Sequence, residues 1–214
     1  MKINVHDYRL LFFENQNQKD EELNDLRGAI EKKHSINNWY AYLNNKANDA
    51  DRKSFAKIFN DRCCYCGASF LFALNCLNIE IDHIFSKSVK PNSAEEINDL
   101  ENLASSCHNC NSKKKAIVVN SYEANIINPY HNITKVFSRT SDLYIEIRDE
   151  YKTNTFVLDF YNKLGLKKEI HRLFYICLVL NDLKKKNTAN DYLYSRLSKA
   201  VDSINRAINN SLRA

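Results

Sequence analysis

Five of the seven cysteines in this 214-residue chain fall in two short stretches, Cys63-Cys64-Tyr65-Cys66 and Cys107-His108-Asn109-Cys110. Each stretch contains a Cys-x-x-Cys pair. A tight turn of that length aims two sulfurs at one point, and two such turns can present four thiolates tetrahedrally, the geometry of a closed structural zinc site. Cys63, Cys66, Cys107 and Cys110 are therefore the expected zinc ligands, with Cys64 competing with Cys63 for its place. One Cys-x-x-Cys would equally suit redox chemistry, but a second pair argues against it. A disulfide framework is not expected in a chain of this length without a secretion signal. Cys76 and Cys177 stand apart and read as small core residues, and His108 reads as an exposed side chain between two ligands.

Between the two pairs lies Glu80-Ile81-Asp82-His83-Ile84-Phe85-Ser86-Lys87-Ser88, followed by Glu101-Asn102-Leu103 and then Cys110-Asn111-Ser112-Lys113-Lys114. The order Cys-x-x-Cys, Asp-His-Ile, Asn-Leu, Cys-x-x-Cys-Asn-x-x-Lys resembles the HNH endonuclease family in its zinc-bearing form, over roughly Arg62 to Lys115. The resemblance implies a ββα-metal core, a β-hairpin and a helix around one catalytic metal. It implies Asp82 and Asn111 as the ligands of that metal and His83 as general base. It makes Asn102 the brace of the loop bearing the base and Lys114 a phosphate contact, with Lys113 and Lys87 as further candidates. The implied activity is hydrolysis of DNA phosphodiesters, leaving 5′-phosphate and 3′-hydroxyl ends.

These residue types suit that chemistry. Phosphodiester hydrolysis needs an activated water and a stabilised leaving oxygen. Histidine titrates near pH 6.5, so a neutral His83 accepts a proton near neutrality. A carboxylate and an amide oxygen are hard ligands, which favours Mg²⁺ or Mn²⁺. Such a metal would neutralise charge on the phosphate and the departing 3′ oxygen. Neighbouring strand residues point to opposite faces, so Asp82 and His83 are expected to share one centre only with local distortion.

Taken singly, each of these residues has a plainer reading. An Asp-His pair is usually surface polarity, and Lys113 to Lys115 alone would be a solvated helix end. Two other functions compete with a DNA nuclease: a zinc-stabilised nucleic-acid-binding module without catalysis, and an RNA-cleaving enzyme of the same family. The helical arms and the Ile127-Asn128-Pro129-Tyr130 segment resemble the nuclease subunit of Septu-type and retron-associated anti-phage systems. That narrower likeness implies an ATPase protein partner. Of the remaining histidines, His6, His34 and His131 read as surface or loop residues. His171 lies in an apolar helix and reads as a satisfied core or boundary histidine.

The elements that must carry these groups are expected to be mainly helical with a small β component. A helix-forming pattern runs from Lys19 to Asn45, with a break near Ser35 to Asn38. A second helix, N-capped by Asp51, is expected to lead to Cys63. Residues 78–85 alternate as a strand, and a helix is expected from Cys110 to Ile117. The stretch from Ser121 to Phe156 is expected to have extended pieces, notably at Val136-Phe137 and Leu143 to Ile147. Helices are then expected from Phe156 to Lys186, broken near Gly165, and from Asn190 to Leu212, with apolar surface at Leu173, Phe174, Ile176, Leu178, Val179 and Leu180. This divides the chain into a helical region 1–60, a nuclease core 61–119, and an extended and helical region 120–214.

Composition sets wide bounds. Hydrophobic content of 44% and charged content of 27% fit an ordinary globular chain. Only 3 Gly and 2 Pro leave little material for many hairpins. A net charge of +5 permits a nucleic-acid partner without demanding one. No apolar run approaches the ~20 residues of a membrane span, and the N-terminus lacks a signal-peptide layout, so a cytoplasmic location is expected.

Overall fold

The computed structural model describes residues 7–11, 19–71, 79–86, 94–115, 117 and 119–213. Lys87, Cys76 and His6 lie outside them. In chain order the elements are α1 (Lys19–Glu31), α2 (Trp39–Asn44), α3 (Asp49–Ile58), β1 (Ile79–His83), α4 (Ala94–Ile97), β2 (Leu103–Cys107) and α5 (His108–Lys114). There follow α6 (Ser121–Ile126), α7 (Ile133–Val136), β3 (Phe137–Arg139), β4 (Ile145–Ile147), α8 (Thr155–Leu164), α9 (Glu169–Lys186) and α10 (Asp191–Arg213). The fold is mainly helical with two small antiparallel hairpins, β1–β2 and β3–β4. No helix among the described residues is long and apolar enough to cross a membrane.

The first helical region breaks between Glu31 and Trp39, and Asn38, whose side chain accepts from the Ala41 N–H at 2.9 Å, starts α2 afresh. Asp51 is not the N-cap of α3. The helix begins at Asp49, two residues earlier, and Asp51 sits in its first turn accepting the Tyr42 hydroxyl at 2.7 Å. The stretch after Asn120 is not extended. Asn120 and Glu123 form a reciprocal capping box and nucleate α6, a signal that the scarcity of apolar periodicity there conceals. Val136 ends α7, and only Phe137 onward is strand. Gly165 takes the left-handed conformation, φ 65°, that ends α8. The β3–β4 turn runs without a glycine: Leu143 occupies φ 70°, its N–H held by the Thr140 carbonyl at 2.9 Å.

One buried apolar cluster joins α1, α2, α3, the β1–β2 hairpin, β3 and α8 through Leu23, Leu43, Phe55, Leu103, Phe137 and Phe160. Helix α5 lies across β1 and β2 and is backed by α8. Helix α10 packs on α9 along Val201, Ile204 and Ile208, spaced three and four apart.

His171, on α9, is buried but not satisfied: among the described residues neither ring nitrogen has a hydrogen-bond partner. Burial pushes its pKa down to about 4, so the ring is neutral. The helix carries the imidazole inward because its neighbours Ile170, Leu173 and Phe174 are apolar.

Candidate active site

The Cys63–Cys66 turn closes through two backbone bonds, Cys63 N–H to Ala68 O and Gly67 N–H to Cys63 O, both 2.9 Å. Gly67 is required there on two counts. Its φ is 74°, and a Cβ would stand 2.9 Å from the Arg9 Cα. The second pair spans the first turn of α5, with Cys107 at the N-cap and Cys110 buried one turn on. The sulfurs of Cys63, Cys66, Cys107 and Cys110 all lie within 4.8 Å of one another, and all four residues are buried. Tetrahedral zinc with ~2.3 Å Zn–S bonds needs sulfurs about 3.8 Å apart, so the quartet fits that ion. The Cys66–Cys107 separation is 3.9 Å. Cys64 is outside the quartet. Its thiol is pushed up by burial, and its backbone holds the turn to the hairpin through Ser105 O at 2.9 Å.

An N-terminal segment the sequence reading did not connect to the site locks this turn in place. Arg9 donates to Cys64 O at 2.8 Å and the Tyr8 hydroxyl donates to Tyr65 O. Arg62 in turn donates to Arg9 O at 2.8 Å. Arg9 is itself held by the buried carboxylate of Asp7 at 2.6 Å.

Strand β1 pairs with β2 in a register that sets Glu80 opposite Ser106, Asp82 opposite Ala104 and His83 opposite Leu103. Glu80 and Asp82 point to the face covered by α5. Asp82 is buried, and its Oδ2 accepts the Tyr65 hydroxyl at 2.6 Å and faces the Lys114 ammonium at 3.2 Å. Burial raises its carboxyl above the ordinary range, opposed by Lys114 and the Tyr65 hydrogen bond. Tyr65 lies between two cysteines of the first turn, so its hydroxyl ties that turn directly to this carboxylate. Burial and the neighbouring Asp82 push the Tyr65 phenol well above its usual range, so it stays a donor.

His83 faces the other side, toward α2. Its ring lies 4.3 Å from that of Tyr40, and Nε2 is 3.2 Å from Asn98 Oδ1. The amide oxygen only accepts, a contact that favours the tautomer with the proton on Nε2 and the basic lone pair on Nδ1. Regular pairing continues through His83, and a cleft of about 240 Å³ wraps the strand end, lined by Tyr40, Asp82, His83, Asn111 and Lys115 among others.

Asn102 clamps the chain just after His83: its amide accepts the Phe85 N–H at 2.8 Å and donates to Ile97 O at 2.9 Å. Asn111 donates Nδ2 to Glu80 Oε2 at 2.7 Å, while among the described residues its Oδ1 accepts no hydrogen bond. An unused carbonyl oxygen and a buried carboxylate lining one cleft are donors of the type that suits Mg²⁺ or Mn²⁺. Lys114 lines the same cleft but is paired inward. Its position on α5 turns it toward β1, where it is buried and donates to the His83 carbonyl at 2.6 Å as well as facing Asp82. Lys113 is half-buried, and Lys115, exposed at the cleft, is the lysine of this run that reaches solvent. Lys87 lies outside the described residues. Tyr65, Glu80, Asn98 and Tyr40 were missed. Only Glu80 carried a signal, two residues before Asp82 on the same strand face.

A thiolate quartet pinning a β-hairpin to a helix, with carboxylate, imidazole and amide gathered at the strand end, defines a ββα-type nuclease core. The family model described as HNH endonuclease matches residues 63–116, so this segment is an HNH endonuclease domain, the kind that hydrolyses phosphodiesters. No curated protein and no solved structure matches the chain.

Proposed function

We propose that this protein is a divalent-metal-dependent endonuclease acting on DNA, with Asp82 and Asn111 Oδ1 holding Mg²⁺ or Mn²⁺ and His83 serving as general base. The observation that supports it most is the convergence of a buried carboxylate, an unused amide oxygen and an oriented imidazole on one cleft. His83 Nδ1 takes the proton of the attacking water, with Tyr40 and Asn98 fixing the ring plane and tautomer. Asn102 keeps the following loop, and hence the base, in place. Lys115 meets the phosphate at the cleft rim. When bound, the cation supplies Lewis-acid neutralisation of the phosphate and leaving oxygen.

The proposal extends to a role in anti-phage defence alongside an ATPase partner. The layout of helical arms around the core supports it. The Ile127–Tyr130 segment, on which that resemblance also rests, is built into the core: Tyr130 donates to Leu103 O at 2.7 Å, and Pro129 O accepts from both Arg9 and Lys19. The test is cleavage of duplex DNA, single-stranded DNA and RNA by zinc-loaded protein, after chelation and after adding back Mg²⁺ or Mn²⁺, with and without whatever protein co-purifies from the source. Metal-restored DNA cleavage supports the reading. Cleavage that persists under stringent chelation contradicts it, and cleavage confined to RNA replaces its substrate.

A further inference from the structure

An asparagine at a metal site has a chemical ambiguity that an aspartate lacks. One end of its amide ligates a cation and the other repels it, and rotating the group by half a turn exchanges them. Something must break that symmetry at Asn111, and Glu80 stands where it would. Its Oε2 lies 2.7 Å from Asn111 Nδ2. An ionised carboxylate only accepts hydrogen bonds, so it can be met at that distance only by the amide nitrogen. The carbonyl oxygen is thereby turned away from Glu80. Glu80 is itself held at its second oxygen, where His108 Nδ1 lies 2.7 Å from Oε1.

Backbone geometry explains why this contact exists. Glu80 and Asp82 are two apart on β1, about 6.7 Å along the strand, and share its α5-facing side. Asn111 and Lys114 are three apart on α5, about 4.5 Å along the helix axis and one turn on. The two spacings run side by side as two rungs, Glu80 to Asn111 and Asp82 to Lys114. His108, one turn before Asn111, closes the end of the ladder. The same strand face thus supplies a candidate ligand, Asp82, and the group that aims its partner ligand.

We infer that Glu80, pinned by His108, is a positioning residue that orients the Asn111 amide so that Oδ1 faces the metal. The inference rests on the proposed reading of Asp82 and Asn111 as metal ligands. Partners that orient a ligand in this way typically contribute 10–100-fold in metal affinity. Loss of Glu80 therefore acts first on affinity for the cation, ahead of any effect on the fold.

The experiment is titration of Mn²⁺ into zinc-loaded protein, read by the free-ion electron paramagnetic resonance signal, for the wild type and five variants. Zinc content and circular dichroism confirm that each variant is folded. Asp82→Ala marks complete loss of a ligand. Glu80→Ala is expected to bind Mn²⁺ roughly 10–100-fold more weakly. Glu80→Gln, nearly isosteric, is expected to lose several-fold, because its own amide can face Asn111 either way. Asn111→Asp alone is expected to weaken binding, since two carboxylates would meet at the Glu80 contact. The exchanged pair, Glu80→Gln with Asn111→Asp, restores a donor facing an acceptor and is expected to recover affinity close to wild type. A purely structural role for Glu80 predicts no such recovery.

Wild-type affinity in both Glu80→Ala and Glu80→Gln would overturn the inference while leaving the metal site standing. Loss in Glu80→Ala as complete as in Asp82→Ala, unrescued by the exchanged pair, would make Glu80 a ligand and equally overturn it. Unchanged affinity in Asp82→Ala would remove the metal-site reading and this inference with it.

Discussion

Replacing Lys114 with Met separates two accounts of this residue. A surface phosphate contact would lose nucleic-acid affinity and leave the fold alone. The structure instead buries the ammonium, with Nζ 2.6 Å from the His83 carbonyl and 3.2 Å from Asp82 Oδ2. At that separation and an effective dielectric near 20, the Lys114–Asp82 attraction is about 5 kcal/mol before desolvation is subtracted. Removing one partner of a buried pair costs about 3–5 kcal/mol, because the other charge is left uncompensated. Asp82 has one escape: burial already favours its neutral form, and it would take up a proton, which caps the loss near the lower figure. A loss of about 3 kcal/mol lowers the melting temperature of a chain of this size by roughly 6–12 °C. The assay is thermal unfolding of zinc-loaded Lys114→Met and wild type in a chelator that spares the thiolate site, and again with added Mn²⁺. The variant is expected to melt lower in the absence of Mn²⁺ and to gain more than wild type on its addition, since the cation replaces the missing charge beside Asp82. A variant that melts within 2 °C of wild type without Mn²⁺, roughly 0.5–1 kcal/mol by the same conversion, would refute this reasoning.

Cys107→Ser is expected to lower zinc content and soluble yield, measured by metal analysis of the purified protein. Wild type isolated without zinc, its four thiols freely reactive while folded, would dispose of the zinc assignment. For His171, the folded pKa of about 4 lies below the unfolded value near 6.5, so the unfolded chain binds more protons between those limits. Stability is therefore lost as pH falls through that window, by about 1 kcal/mol between pH 7 and pH 5.5 from this residue alone. His171→Leu is expected to be more stable at pH 7, since two orphaned nitrogens leave the core, and to show a shallower decline in urea unfolding at the lower pH. An equally steep decline in the variant would show that the histidine is not the titrating group.

What was legible in the sequence was whatever depends on short spacing. Both Cys-x-x-Cys turns, the break before Trp39 and the stop at Gly165 follow from local geometry, and the structure has them. The alternation of β1 also held, which put Glu80 and Asp82 on one face. What was not legible depends on how elements cross. Nothing near Lys114 tells that α5 turns it onto β1, nor that Tyr65 reaches Asp82 from inside the cysteine turn. Asn98 and Tyr40 come to His83 from separate parts of the chain with no local signature. The buried Asp7–Arg9 pair, which holds the first cysteine turn, sits 55 residues before the carbonyl it binds. Helix α6 was missed for a different reason: a capping box, not an apolar stripe, nucleates it.

The account stands or falls on His83. The direct measurement is the single-turnover rate of DNA cleavage by His83→Ala against wild type, with Mn²⁺ saturating and any native partner present. Loss of a general base typically slows chemistry by about 10²–10⁴-fold. The account predicts a loss of that size with zinc content, Mn²⁺ affinity and nucleic-acid affinity retained, because the imidazole contacts Tyr40 and Asn98 and leaves phosphate contact to lysine. Cleavage by His83→Ala at the wild-type rate under those conditions would contradict it.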